Sequence, residues 1–456
     1  MSLSVLILAA GKGSRMNSAF PKVLQKLAGR PMIDYVLTIA KKLTRKVIVI
    51  VGSQQEMLRQ HLAGEQIEFV EQRQQFGTGH AVAQALPQLS DKDAVLILSG
   101  DVPLLTDEIV SQLIDCGSSC DVAVLTSNLD SPAGYGRIIR DKEGKITSIV
   151  EDVDADDTQR SIKEINTGIM VARADFLQEV IPKIGARNGQ NEYYLTDCVK
   201  IAFELNKKVG SVVLSDALLG LGVNDRAQLA ATERKLQVRT VENLMSGGVT
   251  VADPSRIDVR GELICGKDVF IDINTIFSGR VVLGDGVTIG PNNVISDSEI
   301  SSSATILSNC VIQNSLVGEG AQVGPFSHLR PESTIGDRGK IGNFVEIKKS
   351  DIGAMSKVNH LSYVGDSEVG ERVNIGAGTI TCNYDGQNKH KTVIENGVFI
   401  GSGSQLVAPV TIGAGSTVGA GSTITDNVHA DSLAVSRVPQ KSIPEWAKRK
   451  KSIKNK

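Results

Sequence analysis

One histidine in the second half of the chain has neighbours that could take part in chemistry. His360 follows an aliphatic residue of a regular repeat by two positions. A neutral imidazole near pH 7 can take a proton from an amine that attacks a thioester, although an isolated histidine is more often a surface or interface residue. Arg330, Lys348, Tyr363 and Asn374 are expected at near-equivalent positions of successive turns of that repeat. Their convergence on one face predicts a site for a sugar phosphate beside the base.

The first half carries a second group of candidate residues, in the loop that follows the first predicted strand. Glycines such as Gly11 let backbone amides approach a phosphate, and Arg15 and Lys22 add positive charge. The loop fits neither the dinucleotide-binding fingerprint nor the Walker loop, so a tight turn without a ligand is the alternative. Asp101 ends a later strand within Gly-Asp-Val-Pro-Leu. In isolation, a carboxylate there would be an ordinary strand-end residue or a helix cap.

An aliphatic residue recurs at every sixth position over much of the second half. This period matches neither an α-helix nor an alternating strand, and it is typical of the hexapeptide repeats that form parallel β-helices. The longest unbroken runs are Val317, Val323, Leu329, Ile335, Ile341 and Ile347, and then Ile400, Leu406, Ile412, Val418 and Ile424. The step shortens to five at intervals, so that residues 283, 300, 317, 335, 352 and 369 start coils of 17 or 18 residues. We predict a three-sided rod whose coils are stable only against one another, with a polar loop leaving it at residues 381–391.

The remaining segments predict two further elements. In residues 1–226, short apolar runs alternate with helical patterns, which indicates an α/β doubly wound domain with a mostly parallel sheet. Ligands of such sheets bind beyond the carboxyl ends of the strands. Residues 227–248 are rich in helix formers and predict a helical linker. Residues 249–456 would hold the β-helix and a basic C-terminal tail, whose end we expect to be a solvated, frayed terminus.

The composition limits the classes of partner. The net charge at pH 7 is −2, and no apolar run approaches transmembrane length. We therefore expect neither nucleic-acid binding nor integral membrane association. Six cysteines are scattered without a Cys-x-x-Cys pair, which favours a reducing, cytoplasmic location over a disulfide framework or a zinc site.

Several motifs of the first half together resemble the sugar-nucleotidyltransferase family. They are residues 8–16 with 21–22, 72 with 75–81, 100–104, 134–138, 149–151, 164–168 and 222–224. The hexapeptide array is similar to the left-handed β-helix of hexapeptide-repeat acyltransferases. Over nearly its full length the chain resembles a family of bifunctional enzymes. These acetylate glucosamine-1-phosphate from acetyl-CoA and then uridylylate N-acetylglucosamine-1-phosphate with UTP, giving pyrophosphate and the cell-wall precursor UDP-N-acetylglucosamine.

The resemblance implies roles for particular residues of the first half. Arg15 and Lys22 would assist the transfer at the UTP phosphates, and Asp101 and Asn224 would coordinate Mg²⁺. Ser99 departs from the family, in which tyrosine is common before Gly-Asp, and it changes one wall of the nucleotide pocket. The implied nucleotide and sugar site consists of Leu8, Ala9, Ala10, Gly11, Lys22, Gln72, Gly77, Thr78, Ser99, Gly100, Asp101, Gly136, Glu151, Asn166 and Asn224. Within it, the uracil would be read by Gln72, Gly77 and Thr78, and the amino sugar would be held by Gly136, Glu151 and Asn166.

In the second half the resemblance makes His360 the general base for the glucosamine 2-amine. It assigns the sugar phosphate to Arg330, Lys348, Tyr363 and Asn374. The implied acetyl-CoA contacts are Ala377, Asn383, Tyr384, Ser402, Ala420 and Arg437. Three subunits of this family pack their rods together with acetyltransferase sites between them, which implies a homotrimer. Two alternatives remain: a monofunctional sugar nucleotidyltransferase whose β-helix serves assembly or regulation, and a structural rod with a degenerate enzyme domain.

Overall fold

The computed structural model describes residues 2–11, 13–52 and 55–454 of the 456-residue chain. Lys12 of the predicted phosphate loop and the last two residues of the predicted tail, Asn455 and Lys456, lie outside the described residues. The chain divides into two compact units, Met1–Leu236 and Gln237–Lys456. The division falls inside the helix Arg226–Ser246, which occupies most of the segment predicted as a helical linker.

The first unit is built on a nine-stranded sheet with helices around it. The strands of this unit are β1 (Leu3–Ala9), β2 (Lys26–Leu27), β3 (Arg30–Pro31), β4 (Val47–Val51), β5 (Glu68–Glu71), β6 (Ala94–Ser99), β7 (Val122–Asn128), β8 (Arg137–Arg140), β9 (Ile146–Val150), β10 (Glu164–Arg173) and β11 (Val209–Leu214). The helices are α1 (Met32–Leu43), α2 (Gln55–His61), α3 (Thr78–Ala85), α4 (Asp107–Gly117), α5 (Asp157–Arg160), α6 (Ala174–Val180) and α7 (Asp197–Glu204). Strands β2 and β3 form a separate hairpin.

The strand order of the main sheet is β11-β7-β10-β6-β1-β4-β5, with β8 and β9 attached to β10. Along this order the pairs are parallel, except that β10 runs antiparallel to both β6 and β7. The prediction of a mostly parallel α/β sheet is confirmed. Strand β4 is buried along its whole length, because helices cover both faces of the sheet and leave the strand ends, rather than the faces, open to ligands.

The second unit is a parallel β-helix with three ladders of short strands. The first ladder consists of Thr250–Val251, Phe270–Ile271, Thr288–Ile289, Thr305–Ile306, Gln322–Val323, Lys340–Asn343, Lys357–His360, Asn374–Ile375, Phe399–Ile400, Thr417–Val418 and Leu433–Ala434. Two long strands, Ile257–Cys265 and Thr275–Leu283, pair residue for residue and begin both other ladders. The helix Trp446–Lys454 follows the rod.

The second and third ladders alternate along the chain and belong to one sheet. The second ladder continues with Val294–Ser296, Val311–Gln313, His328–Leu329, Glu346–Lys348, Tyr363–Gly365, Ile380–Cys382, Gln405–Val407 and Thr423–Ile424. The third ladder continues with Glu299–Ile300, Ser315–Val317, Ser333–Ile335, Asp351–Ile352, Ser367–Val369, Thr392–Ile394 and Val410–Ile412. The aliphatic residues of all three ladders point inward and form one apolar cluster along the rod.

The coil length predicted from the sequence is confirmed by the strand register. Leu283 pairs with Ile300, which pairs with Val317, and the same column continues to the residues at 335, 352 and 369. A single larger step follows, because Ser367 pairs with Thr392, 25 residues on. The extra residues leave the rod as the predicted polar loop, which is closed by a bridge between Tyr384 and Lys389.

The helix Arg226–Ser246 ends at a glycine pair, and Gly248 adopts a left-handed backbone conformation with φ of 99°. Glycine is favoured there because it has no Cβ to clash with the preceding carbonyl. Among the described residues, none of the helices combines the length and the apolar composition that a bilayer crossing requires.

Candidate functional site

The carboxyl ends of the central strands of the first unit surround a cleft of about 390 Å³. Six of the predicted nucleotide-site residues line it: Leu8, Ala10, Gly11, Gln72, Gly77 and Thr78. Ala9 lies in the adjoining strand β1, and Gly100 donates its N–H to the Leu8 carbonyl at 2.9 Å. Five further residues line the cleft without having been predicted as ligands: Gly13, Ser14, Gln75, Ala81 and Glu192.

One wall of this cleft is the start of helix α3. Gly77 precedes the helix with φ of 102°, and a Cβ there would lie 2.6 Å from the Tyr193 carbonyl oxygen, so only glycine fits. The Gln72 amide donates to the Gly77 carbonyl at 2.9 Å, and the Leu195 N–H donates to Thr78 Oγ1 at 3.0 Å. These bonds fix the polar groups that the resemblance assigns to the base of the nucleotide.

A cluster of charged and polar residues joins the loop that follows β1 to Asp101 and Asn224. Lys22 Nζ donates to Asp101 Oδ2 and, at 3.1 Å, to Asn224 Oδ1. Arg15 Nη2 donates to the same Asn224 oxygen at 3.0 Å. The opposite oxygen of Asp101 accepts from Ser99 Oγ at 2.6 Å. Four residues that the sequence predicted for the phosphates and the metal are therefore brought together by direct bonds.

The donor set at Asp101 and Asn224 fits a hard divalent cation. One carboxylate and one amide oxygen already share a positively charged partner, the Lys22 ammonium. Within residues 2–11, 13–52 and 55–454, there is no group of three or more His, Cys, Asp or Glu side chains that could hold a metal ion. Mg²⁺ commonly uses one or two protein ligands and takes its other ligands from phosphates and water.

The predicted amino-sugar residues also lie together. The Asn166 N–H donates to the Gly136 carbonyl at 2.8 Å, and a Cβ on Gly136 would be 3.3 Å from Glu151 Oε2. Burial raises the pKa of Glu151, and Thr196 Oγ1 donates to its Oε1 at 2.9 Å. Thr196 was missed by the sequence analysis because it is 45 residues from Glu151 along the chain and belongs to none of the motifs.

In the second unit, His360 is the last residue of its strand in the first ladder. Its Nδ1 lies 2.8 Å from Asn343 Oδ1, at the equivalent position one coil earlier. A carbonyl oxygen accepts, so Nδ1 carries the hydrogen and Nε2 keeps the lone pair. In the neutral form of this exposed imidazole, Nε2 is therefore the nitrogen that is free to accept a proton.

Small residues continue the same column of the first ladder beyond the histidine. The register pairs the residues two positions earlier in each strand, Val358 with Ile375, Ile375 with Ile400 and Ile400 with Val418. The column therefore runs Asn343, His360, Ala377, Ser402 and Ala420. Three of the predicted acetyl-CoA residues thus follow the predicted base in a straight line along the rod. Arg437 Nη1 donates to the carbonyl at the end of this column, on Ala420, at 2.5 Å.

The size of the side chains at the corner between the first and second ladders changes along the rod at His360. In the coils up to and including that of His360, the corner residues are Phe326, Phe344 and Leu361, with exposed fractions of 50%, 56% and 62%. The two phenylalanine rings stack with centroids 5.2 Å apart. After it, the corner residues are Gly378, Gly403 and Gly421. The corner is thus bulky and apolar on one side of His360 and without side chains on the other.

One expectation for this unit is wrong: Arg330, Lys348, Tyr363 and Asn374 do not occupy equivalent positions. The first two do, since Leu329 pairs with Ile347. Tyr363 pairs with Glu346, two positions before Lys348, and Asn374 lies on the first ladder. The physical reason is that only residues a full coil apart fall in register, and 15 residues separate Lys348 from Tyr363.

Three of these residues nevertheless share the second ladder with a polar cluster. Lys348 Nζ lies 3.8 Å from Asp366 Oδ2, and Asn383 Nδ2 donates to Tyr363 Oη at 3.4 Å and to the same Asp366 oxygen. The ammonium of Lys348 lowers the pKa of Lys389, which lies in the loop beyond the predicted residues. Two neighbouring lysines form a candidate site for an anion, and sequence spacing alone gave no sign of the second.

Two other features lie at the edge of this cluster. Arg330 Nη1 donates to Glu346 Oε1 at 2.9 Å. Tyr384 is exposed in the loop, and its hydroxyl donates to the Gly386 carbonyl at 2.7 Å. A cleft of about 620 Å³ adjoins Asp366 and Lys389, but His360 is not among the residues that line it. Within one chain, His360 and this cleft are therefore separate.

The comparisons with known proteins cover both units. Residues 5–157 match the MobA-like NTP transferase domain, and residues 314–349 and 391–426 match the six-repeat bacterial transferase hexapeptide family. The chain is 51% identical over 447 residues to the "Bifunctional protein GlmU" of Francisella philomiragia, covering 98% of this chain and 99% of the relative. It is 53% identical over 447 residues to the protein of that name from Francisella tularensis subsp. novicida, covering 98% of each. For the Azoarcus sp. protein of the same name, identity is 48% over 445 residues, covering 97% of this chain and 98% of the relative.

Proposed function

We propose the roles that follow on the premise that this chain belongs to the family of bifunctional GlmU proteins. It is a transferase with an acetyl-transfer and a uridylyl-transfer activity, and its nucleotidyltransferase and hexapeptide units correspond to these two reactions. The β-helix acetylates glucosamine-1-phosphate from acetyl-CoA. The α/β unit then joins N-acetylglucosamine-1-phosphate to UMP from UTP, giving UDP-N-acetylglucosamine and pyrophosphate.

In the uridylyl transfer, a phosphate oxygen of the sugar phosphate attacks the α-phosphorus of UTP. The bond from that phosphorus to the bridging oxygen breaks, and pyrophosphate leaves with both electrons. The protein contributes position and charge: Arg15 and Lys22 bind the phosphates, and Glu151 and Asn166 orient the sugar. Mg²⁺ held by Asp101 and Asn224 would neutralise charge on the phosphates.

In the acetyl transfer, His360 Nε2 accepts a proton from the glucosamine 2-amine while the amine nitrogen attacks the thioester carbonyl. The carbon–sulfur bond breaks and the CoA thiolate leaves, so that amide formation and thiol release balance. Asn343 supports this role because its side-chain oxygen holds the hydrogen at Nδ1 and directs the basic nitrogen away from the rod.

The sugar phosphate would bind on the second ladder. Arg330 and Lys348 lie one coil apart at equivalent positions, and the loop residue Lys389 adds a third cation beside Lys348. Tyr363 and Asn383, which are bonded to each other, supply neutral donors. We therefore add Lys389 to the phosphate-binding residues implied by the family.

Acetyl-CoA would lie along the first ladder, beyond the histidine. Ala377, Ser402 and Ala420 have small side chains, and the adjacent corner consists of glycines for the same three coils. Their small size leaves a groove that an extended thioester arm can follow toward His360. Tyr384 and Arg437 are exposed at its sides and can contact the nucleotide end.

We also propose a homotrimer. Asn374 lies on a different ladder from Lys348 and Tyr363, and in the proposed assembly Asn374 comes from a second copy. The exposed apolar corner of Phe326, Phe344 and Leu361 supports contact between copies, because bulky apolar side chains in water are stabilised by burial.

The observation that carries the assignment of the β-helix is the Asn343–His360 bond at the head of a small-residue column. The test is thiol release from acetyl-CoA on addition of glucosamine-1-phosphate, without UTP. Sugar-dependent release is expected. Failure of a folded protein to release thiol would leave a uridylyltransferase with a structural rod, which is the alternative function.

A further inference from the structure

The two carboxylate oxygens of Asp101 have different partners. Lys22 Nζ donates to Oδ2, and Ser99 Oγ donates to Oδ1 at 2.6 Å. The residue is almost fully buried, with 5% of its surface exposed. One oxygen therefore faces a cationic side chain, and the other faces the strand that leads into Asp101.

The lysine identifies which oxygen faces a cation. Its ammonium also donates to Asn224 Oδ1 at 3.1 Å, so it lies between the carboxylate and the amide that the proposed function assigns to Mg²⁺. A positive charge at that point is stabilised by both oxygens. Oδ2 of Asp101 is thus directed at the cation position, and Oδ1 is not.

The surroundings leave the carboxylate little freedom to turn. Ser99 is the last residue of β6 and is in register with Leu8 of β1, so its backbone is fixed by the sheet. On the other side, a Cβ at Gly222 would lie 2.9 Å from Oδ1 and 3.0 Å from Oδ2. The Val223 N–H donates to the Asp101 carbonyl at 3.0 Å. The carboxylate is packed between a strand end and a glycine.

We propose that Ser99 is a positioning residue for divalent-cation binding, and not only a wall of the nucleotide pocket. By donating to Oδ1, the hydroxyl fixes the torsion of the carboxylate. Oδ2 then stays directed toward Asn224 Oδ1 when a divalent cation replaces the lysine ammonium at this position. The inference rests on the proposed metal role of Asp101 and Asn224. Hydrogen-bond partners of metal ligands commonly change metal affinity by about 10- to 100-fold.

The test measures Mn²⁺ binding to the full-length protein by electron paramagnetic resonance, without nucleotide. Ser99→Ala should weaken Mn²⁺ binding by about tenfold. Ser99→Thr keeps the hydroxyl and should bind within about twofold of the unmodified protein, since β-branched residues suit a strand end. Thermal unfolding followed by circular dichroism verifies that each variant is folded.

Two further variants separate the inference from its premise. Asp101→Asn should lose Mn²⁺ binding; if it binds normally, the proposed metal site is wrong. If Asp101→Asn loses binding but Ser99→Ala does not, the site stands and the role of Ser99 is overturned. Lys22→Met removes the competing ammonium and should bind Mn²⁺ more tightly, by about threefold or more. Weaker binding in Lys22→Met would contradict the assignment of Oδ2 to the cation side.

Discussion

In the first unit the candidate site joins residues far apart in sequence, whereas in the second unit it follows a repeat. Lys22 and Asn224 are bonded although 202 residues separate them. His360 and Asn343 are bonded because they lie one coil apart. Loops at the edge of a twisted sheet can surround a ligand within one chain. The flat faces of a rod cannot, and its candidate residues are divided between two ladders.

Metal removal should give the largest difference between the units. Excess EDTA should reduce uridylyl transfer below detection, since its charge stabilisation uses Mg²⁺, and leave acetyl transfer unchanged, because proton transfer to His360 needs no metal. The measurements are pyrophosphate release and thiol release from the same sample. Added Mg²⁺ should restore the first activity. Loss of thiol release in EDTA would show that the two sites do not differ in this way.

Removal of the base should give the opposite result. His360→Ala should lower acetyl transfer by about 10²- to 10⁴-fold and leave uridylyl transfer within about twofold. A matched control is His328→Ala: this histidine contacts Gln313 on the second ladder, with Nε2 and Oε1 3.1 Å apart, and lies outside the proposed site. An equal loss in both variants would point to damage to the rod instead of to catalysis.

A substitution in the apolar corner tests whether acetyl transfer by the rod requires a second copy of the chain. Phe344→Asp should break the trimer, because a charge replaces a stacked ring that is 56% exposed in one copy. Sedimentation velocity should show a fall to one-third of the mass. Acetyl transfer should fall at least about tenfold, since Asn374 is then missing from each site, while uridylyl transfer persists.

The control for this change is Leu316→Asp. Leu316 is 52% exposed and lies on the third ladder, across the rod from the Phe344 corner. It should leave the mass and both activities unchanged. If Leu316→Asp dissociates the protein and Phe344→Asp does not, the contact between copies uses another face.

The smallest expected effect concerns the loop cation. Lys389→Ala should raise the KM for glucosamine-1-phosphate by about fivefold with a smaller change in kcat, because it removes one of the three proposed cationic partners of the phosphate. Lys391→Ala is the control, since that lysine is paired with Glu368. Equal KM values in the two variants would remove Lys389 from the site.

The rod was largely predictable because its pattern is local. A six-residue period with regular five-residue steps determines which aliphatic residues stack, and the register of Leu283, Ile300 and Val317 follows it. The same counting shows why the set of Arg330, Lys348, Tyr363 and Asn374 was misplaced. An error of two residues moves a side chain along its face, and a longer one moves it past a corner onto another ladder.

The α/β site was predicted only as far as its motifs extend. The motifs contain Lys22, Asp101 and Asn224, and the structure brings these residues together. The bond from Thr196 to Glu151 and the proximity of Lys389 to Lys348 depend on how distant segments pack. No spacing in the sequence encodes such contacts. The bond from Ser99 to Asp101 is local, but a serine two residues before an aspartate is too common to predict it.

The column from His360 to Ala420 also sets a length scale. Its members are separated by whole coils, and neighbouring parallel strands lie about 4.8 Å apart. Three steps therefore span about 14 Å in fixed increments that no side-chain motion can alter. The reach of a donor arm that lies along this column is therefore set by the number of coils it passes. Deletion or duplication of one coil between His360 and Ala420 would change the required length of the arm by about 4.8 Å. The rod would then select donors by length.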